Sequence, residues 1–149
     1  MKLLGLYKWI IGTMSDFVKQ FQDNETLYIQ AKKFWGNLES WSIIIVLIFI
    51  LLGAIMAWSY YKPFNEKPGR HYKPKYWVIF GVITFVLSFL VTLGFEYFAL
   101  PPKLDGAFVL ELKLALANAL YSTLGVYLFV SWVWCQFNLP TNAYRRIKF

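Results

Sequence analysis

Thr84, Ser88, Thr92 and Glu96 follow one another at four-residue steps. On an α-helix each such step drifts by only about 40°, so three hydroxyls and a carboxylate share one side, with Gly81 near the same face. Two chemistries fit this stripe. It can line a path for water or protons. It can equally hold helices together, because serine and threonine hydroxyls bond to the carbonyl four residues back and small polar residues admit a neighbouring helix closely. The stripe is read as a packing face first and as a pore lining second.

Glu96 is the ionisable member of the stripe, and an ionisable group inside an apolar span is costly enough to need a reason. A hairpin through residues 101–106 brings it to the depth of Lys113, so a Glu96–Lys113 ion pair near the hydrocarbon edge is expected. A proton-coupled carboxylate is the rival reading. Further along, Ala115, Asn118, Ala119, Ser122 and Gly125 recur in three- and four-residue steps. Their small side chains permit close backbone approach, and Asn118 can hydrogen-bond across to another helix. Gly53 and Ala57 make a weaker version. Each face calls for a protein neighbour, in the same chain or in another copy.

Other reactive residues stand alone. His71 lies beside Arg70 and Lys73 with no second histidine, and is read as a solvated loop residue. Cys135 is the single cysteine, so the chain forms no internal disulfide. It is read as an inert buried thiol, with lipidation the alternative. No phosphate-binding loop, dinucleotide fingerprint, zinc-protease helix or nucleophile elbow occurs. No catalytic residue, metal site or cofactor is therefore assigned, and a non-enzymatic role is expected.

These residues ride on three apolar stretches, at about 41–61, 76–100 and 112–134. Roughly 20 apolar residues cross a hydrocarbon core of about 30 Å, so each stretch is long enough to span it. The apolar fraction is 58% and the mean hydropathy +0.47, which exceed the values of soluble domains. Tryptophan and tyrosine gather at the ends of the stretches: Trp35 and Trp41, Trp58 to Tyr61, Tyr76 and Trp77, Tyr97, Trp132 and Trp134. Amphipathic rings favour the water–lipid boundary. The expected fold is an all-α integral membrane protein with three transmembrane helices.

Ahead of the spans, residues 1–40 form an amphipathic helical segment. Leu3, Tyr7, Ile10, Met14, Phe17 and Phe21 step by four and three, widened by Leu4, Ile11 and Val18, while Lys8, Ser15, Asp16, Lys19 and Gln22 lie off the stripe. This predicts one helix over about 2–22, lying flat at the lipid surface. The alternatives are a helix packed on a partner subunit or one covering its own protein. The opening residues resemble a signal peptide only superficially, since Lys8 interrupts the apolar run, so the N-terminus is expected to be retained. Asp23, Asn24, Glu25 and Thr26 make a polar break at which Asp23 or Asn24 can cap the next helix. That helix is expected to run from about 25 to 61, with Gly36 a place to bend.

The loop after the first span carries Lys62, Lys67, Arg70, Lys73 and Lys75, and its Pro63, Pro68 and Pro74 are expected to prevent helix. The tail, residues 135–149, adds Arg145, Arg146 and Lys148. The net charge is +7, placed beside the spans, which suits anionic headgroups rather than nucleic acid. The positive-inside rule then sets the N-terminus outside and the C-terminus in the cytoplasm, and the small size with no eukaryotic-type processing signal leads to the expectation of a bacterial inner membrane.

The first expected function is a small, non-enzymatic polytopic subunit of a larger envelope or secretion/transfer-type complex, acting by helix packing and anchoring. The alternative is a homo-oligomeric channel or membrane-permeabilising effector with the second span lining the pore. A small carrier would depend on Glu96. The partners expected are the lipid bilayer and either other membrane subunits or identical copies, with no nucleic acid.

Overall fold

A computed structural model describes residues 3–67, 73–102, 104 and 106–137, without the side chains of 3, 4 and 137. It is all-helical, with no strand among the described residues. A 3-10 turn, Leu3–Tyr7, leads into the short helices α1 (Lys8–Ile11) and α2 (Met14–Lys19). The long helices are α3 (Glu25–Ser59), α4 (Pro74–Ala99), α5 (Ala107–Leu120) and α6 (Leu128–Phe137). Wider π-helical segments follow α3 at Tyr60–Phe64 and join α5 to α6 at Tyr121–Tyr127. Three stretches, Glu25–Phe64, Pro74–Ala99 and Ala107–Gln136, are long and apolar enough to cross a membrane.

The N-terminal segment departs from the single helix expected over 2–22. Gly12 sits at φ 78°, where an L side chain is strained, and this ends α1. Thr13 then starts α2 with a capping box. Its Oγ1 accepts from the Asp16 N–H at 3.3 Å, and Asp16 Oδ2 accepts from the Thr13 N–H at 3.1 Å. Two otherwise orphaned donors are satisfied reciprocally, so the break is built in. Asn24 caps α3 as expected, its Oδ1 accepting from the N–H groups of Thr26 and Leu27 at 3.0 and 3.3 Å.

Two proline expectations are corrected. Pro63 does not stop the helix at the end of the first span. It is absorbed in the π turn, where Asn65 N–H reaches back five residues to the Tyr60 carbonyl at 3.1 Å. The wider turn accommodates a ring that clashes with the usual i−4 carbonyl. Pro74 opens α4, a position whose N–H has no helical partner in any case. Pro68 lies outside the described residues.

The chain divides into two compact units, Met1–Ile48 with Phe89–Asn118, and Phe49–Ser88 with Ala119–Phe149. In the first, the N-terminal segment packs on α3. The Phe17 ring lies 5.7 Å from that of Phe34 and 5.9 Å from that of Trp35. Phe21 lies over Gly106, where its Cζ stands 2.8 Å from the place a Cβ would take, so any side chain there displaces the ring. Tyr7, Ile11, Phe17 and Val18 are buried. The stripe expected to lie flat on lipid is thus turned in large part onto its own chain, while Leu6, Trp9 and Met14 stay exposed.

In the second unit, Tyr60, Tyr61 and Cys135 are buried among Phe64, Tyr76, Trp77, Phe80 and Trp134. Gly53 makes the close approach its residue type suggests. A Cβ there would stand 2.6 Å from the Ser122 carbonyl oxygen and 2.7 Å from Val126 Cβ. Only glycine lets the two backbones come this near.

Candidate functional site

The polar stripe of α4 is turned inward along its length. Gly81, Thr84, Ser88, Thr92 and Glu96 are all buried. The residues between them, Val82, Ile83, Val86, Leu87, Leu90 and Val91, are exposed and aliphatic. One helix therefore separates a polar face covered by protein from an apolar face left bare. Thr84 Oγ1 donates to the Phe80 carbonyl four residues back at 2.7 Å, the local bond open to a hydroxyl inside a helix. Ser88 Oγ is buried with no hydrogen-bond partner.

Thr92 belongs to a network centred on Asn118, within the first unit. Asn118 Nδ2 donates to Thr92 Oγ1 and to the Ile45 carbonyl, both at 2.9 Å. Its Oδ1 accepts from the Tyr7 hydroxyl. Both amide hydrogens and the carbonyl oxygen are used, and Asn118, Thr92 and Tyr7 are fully buried. A satisfied polar network in an apolar interior fixes the relative placement of the elements that meet there. Here those elements are the N-terminal turn, α3, α4 and α5.

The expected Glu96–Lys113 ion pair is absent. Glu96 is fully buried and neither carboxyl oxygen has a hydrogen-bond partner, while Lys113 lies exposed on α5. Glu96 is turned to the interior and Lys113 to the exterior. Glu111, also on α5, is buried as well, at 3% exposed.

On the second stripe, Ala115, Asn118, Ala119 and Ser122 are buried. Gly125 is not part of the packed face: it is exposed, and a Cβ there would meet nothing within 4 Å. The π-helical turn through Tyr121–Tyr127 advances the helix differently from an α-helix, so the three-residue step from Ser122 to Gly125 no longer keeps the face. Among the basic residues, Lys62, Lys67, Lys73 and Lys75 are exposed, and Lys62 pairs with Glu66 at 3.5 Å. Arg70, Arg145, Arg146 and Lys148, like His71, lie outside the described residues.

Several polar contacts were not legible in the sequence. Within the second unit, Trp77 Nε1 donates to Ser131 Oγ at 3.1 Å, and the Tyr127 hydroxyl donates to the Trp77 carbonyl at 2.7 Å. Cys135 is buried, with its Sγ 3.6 Å from the Tyr61 hydroxyl. Outside the spans, the Thr13 hydroxyl, and then the Thr13 backbone N–H, hold the Asp16 carboxyl below the usual carboxylate value. Among the described residues no three His, Cys, Asp or Glu side chains gather to hold a metal ion.

Comparison with protein-family models, with curated proteins and with solved structures returned no match. The chain thus stands on its own geometry: an all-helical protein with three helices of membrane-crossing length and a buried polar seam.

Proposed function

We propose that the chain is an integral membrane protein that works without catalysis, as a small packing and anchoring subunit of a larger membrane complex. The polar groups of its spans serve its own cohesion, with Asn118 as the tie. The apolar side chains left over face lipid along the spans.

The observation that carries the subunit reading lies ahead of the apolar stretch that begins at about Trp41. Trp9 is 69% exposed and Ile29 50%, with Met14 and Leu27 also exposed. Ile29 precedes Trp41, the first residue of the expected hydrocarbon stretch, by about 18 Å of helix at about 1.5 Å per residue. That is further than the headgroup layer, which adds only about 5–8 Å on each side. Apolar groups held that far out are suited to a protein neighbour.

The inward orientation of Thr84, Ser88, Thr92 and Glu96 supports this reading over a homo-oligomeric pore lined by α4, whose outer face is aliphatic. With the basic loop of Lys62, Lys67, Lys73 and Lys75 in the cytoplasm, the N-terminal segment lies outside, and a bacterial inner membrane suits that arrangement. Purification of the tagged full chain from its host in mild detergent, followed by native mass determination, tests the proposal. Recovery at fixed ratio with other membrane proteins is expected. Recovery as a closed ring of one species that conducts ions in a planar bilayer contradicts it.

A further inference from the structure

A groove of about 310 Å³ lies on the second unit, floored by Gly81 and walled by Trp77, Val82, Phe85, Tyr127 and Leu128. From Trp77 to Phe85 it follows about 12 Å of α4. The missing side chain at Gly81 keeps the floor open, with the Tyr127 ring 3.5 Å from where a Cβ would stand.

The polar atoms of both aromatic walls are already spent inside the protein. The Trp77 indole N–H is bound to Ser131 and the Tyr127 hydroxyl to the Trp77 carbonyl. Thr123 also lines the groove, but its Oγ1 is buried beneath the surface, so what faces the opening is ring face and methyl group, which suits hydrocarbon and not a hydrogen-bonding solute. A second helix is a poor occupant, because the small residue, Gly81, is buried at the floor between the Val78 and Val82 side chains, and the exposed face of α4 beside the groove (Ile79, Ile83, Val86) is branched aliphatic. At the Pro74 end, Lys73 and Lys75 are exposed within a turn of Trp77, and the Lys75 ammonium lies 5.0 Å from the Tyr76 ring centre. Positive charge at one end of an apolar channel complements an anionic headgroup.

We propose that this groove is a binding site for one anionic phospholipid, with an acyl chain between Trp77 and Phe85 and the phosphate at Lys73 and Lys75. The proposal rests on the membrane-embedded reading above.

The test uses the full chain in nanodiscs of equimolar phosphatidylglycerol and phosphatidylcholine, with retained lipid counted by native mass spectrometry. One phosphatidylglycerol per chain is expected to survive release. Val82→Phe, at an exposed wall position that leaves the core untouched, fills the groove and lowers retention about tenfold. Val86→Phe, an equally exposed change outside the groove, keeps it. Lys73→Gln with Lys75→Gln removes the preference for phosphatidylglycerol over phosphatidylcholine by about tenfold.

Unchanged retention in Val82→Phe, equal loss in Val86→Phe, or no lipid preference in the wild type overturns the proposal. So does a dimer that Val82→Phe dissociates, because a second copy then fills the groove. Extraction of the chain from membranes by alkaline carbonate overturns the membrane reading and this proposal together. A chain that resists carbonate but retains no lipid in the groove overturns this proposal alone.

Discussion

Asn118 on α5 gives an amide hydrogen to Thr92 on α4 at 2.9 Å, and its other amide hydrogen goes to the Ile45 carbonyl on α3. With Tyr7 bound to its carbonyl oxygen, one side chain ties four parts of the first unit. Asn118→Leu is therefore expected to destabilise the protein by about 2 kcal/mol, since it removes three hydrogen bonds from a buried network. Thr92→Val loses one acceptor and is expected to cost about 1 kcal/mol. Unfolding by SDS in mild detergent measures both. An unchanged midpoint for Asn118→Leu contradicts the network's role.

Gly53 and Gly125 both sit in apolar helical stretches, yet they respond oppositely to a methyl group. Gly53→Ala places a Cβ against Ser122 and Val126 and is expected to cost about 2 kcal/mol through forced separation of the helices. Gly125→Ala meets nothing within 4 Å, and is expected to be neutral or stabilising by up to about 1 kcal/mol through helix propensity. The same unfolding assay separates them.

The Glu96 carboxyl makes no hydrogen bond and no ion pair with Lys113. Replacing it by an amide of nearly the same shape removes a buried group that the fold does not reward. Glu96→Gln is expected to be at least as stable as the wild type at neutral pH, and Lys113→Gln to lie within about 0.5 kcal/mol of it. A loss of about 3 kcal/mol or more in both variants would reinstate a buried ion pair between them.

Hydrogen bonds from Thr13 hold the Asp16 carboxyl below its ordinary value of 3.8, so the proton binds less readily in the folded chain. The α2 cap is at full strength above that pH and is lost as pH falls through the lower, folded value. In micelles, NMR of the Thr13 and Asp16 amides is expected to titrate with a midpoint below 3.8. Thr13→Val, which removes the hydroxyl and keeps the backbone N–H, is expected to raise the midpoint toward the ordinary value and to fray α2. A wild-type midpoint at or above 3.8 contradicts the cap.

Hydropathy placed the long helices well, because each carries an unbroken apolar run and α3 begins at its expected cap, Asn24. The break at Gly12 was also written locally, as a glycine followed by Thr13 and, three residues on, Asp16, but the apolar period across it masked the signal. Glu111 was readable too. It stands one turn before Ala115 on the face that continues to Asn118 and Ser122, so the stripe begins a residue earlier than it was drawn.

Rotation was not legible. The hairpin spacing suggests that Glu96 and Lys113 meet, but which side of α5 turns inward is decided by packing around the buried Leu114 and Asn118. The π-helical turn at Tyr121–Tyr127 has no proline or other local cue, and it displaces Gly125 from the face its spacing suggests. The Tyr7 hydroxyl's partner lies 111 residues away, beyond any local pattern.

On the membrane reading, the buried hydroxyl stripe of α4 is closed to water while its exposed aliphatic face meets lipid. Single-cysteine scanning in native membranes tests it most directly, in a Cys135→Ser background with Thr84→Cys, Ser88→Cys and Thr92→Cys set against Val82→Cys, Val86→Cys and Leu90→Cys. The first three are expected to resist a charged, water-soluble thiol reagent, while the last three are expected to react only with a lipophilic one. Rapid reaction of Ser88→Cys and Thr92→Cys with the charged reagent would contradict it, and would reveal a water-filled path along the stripe.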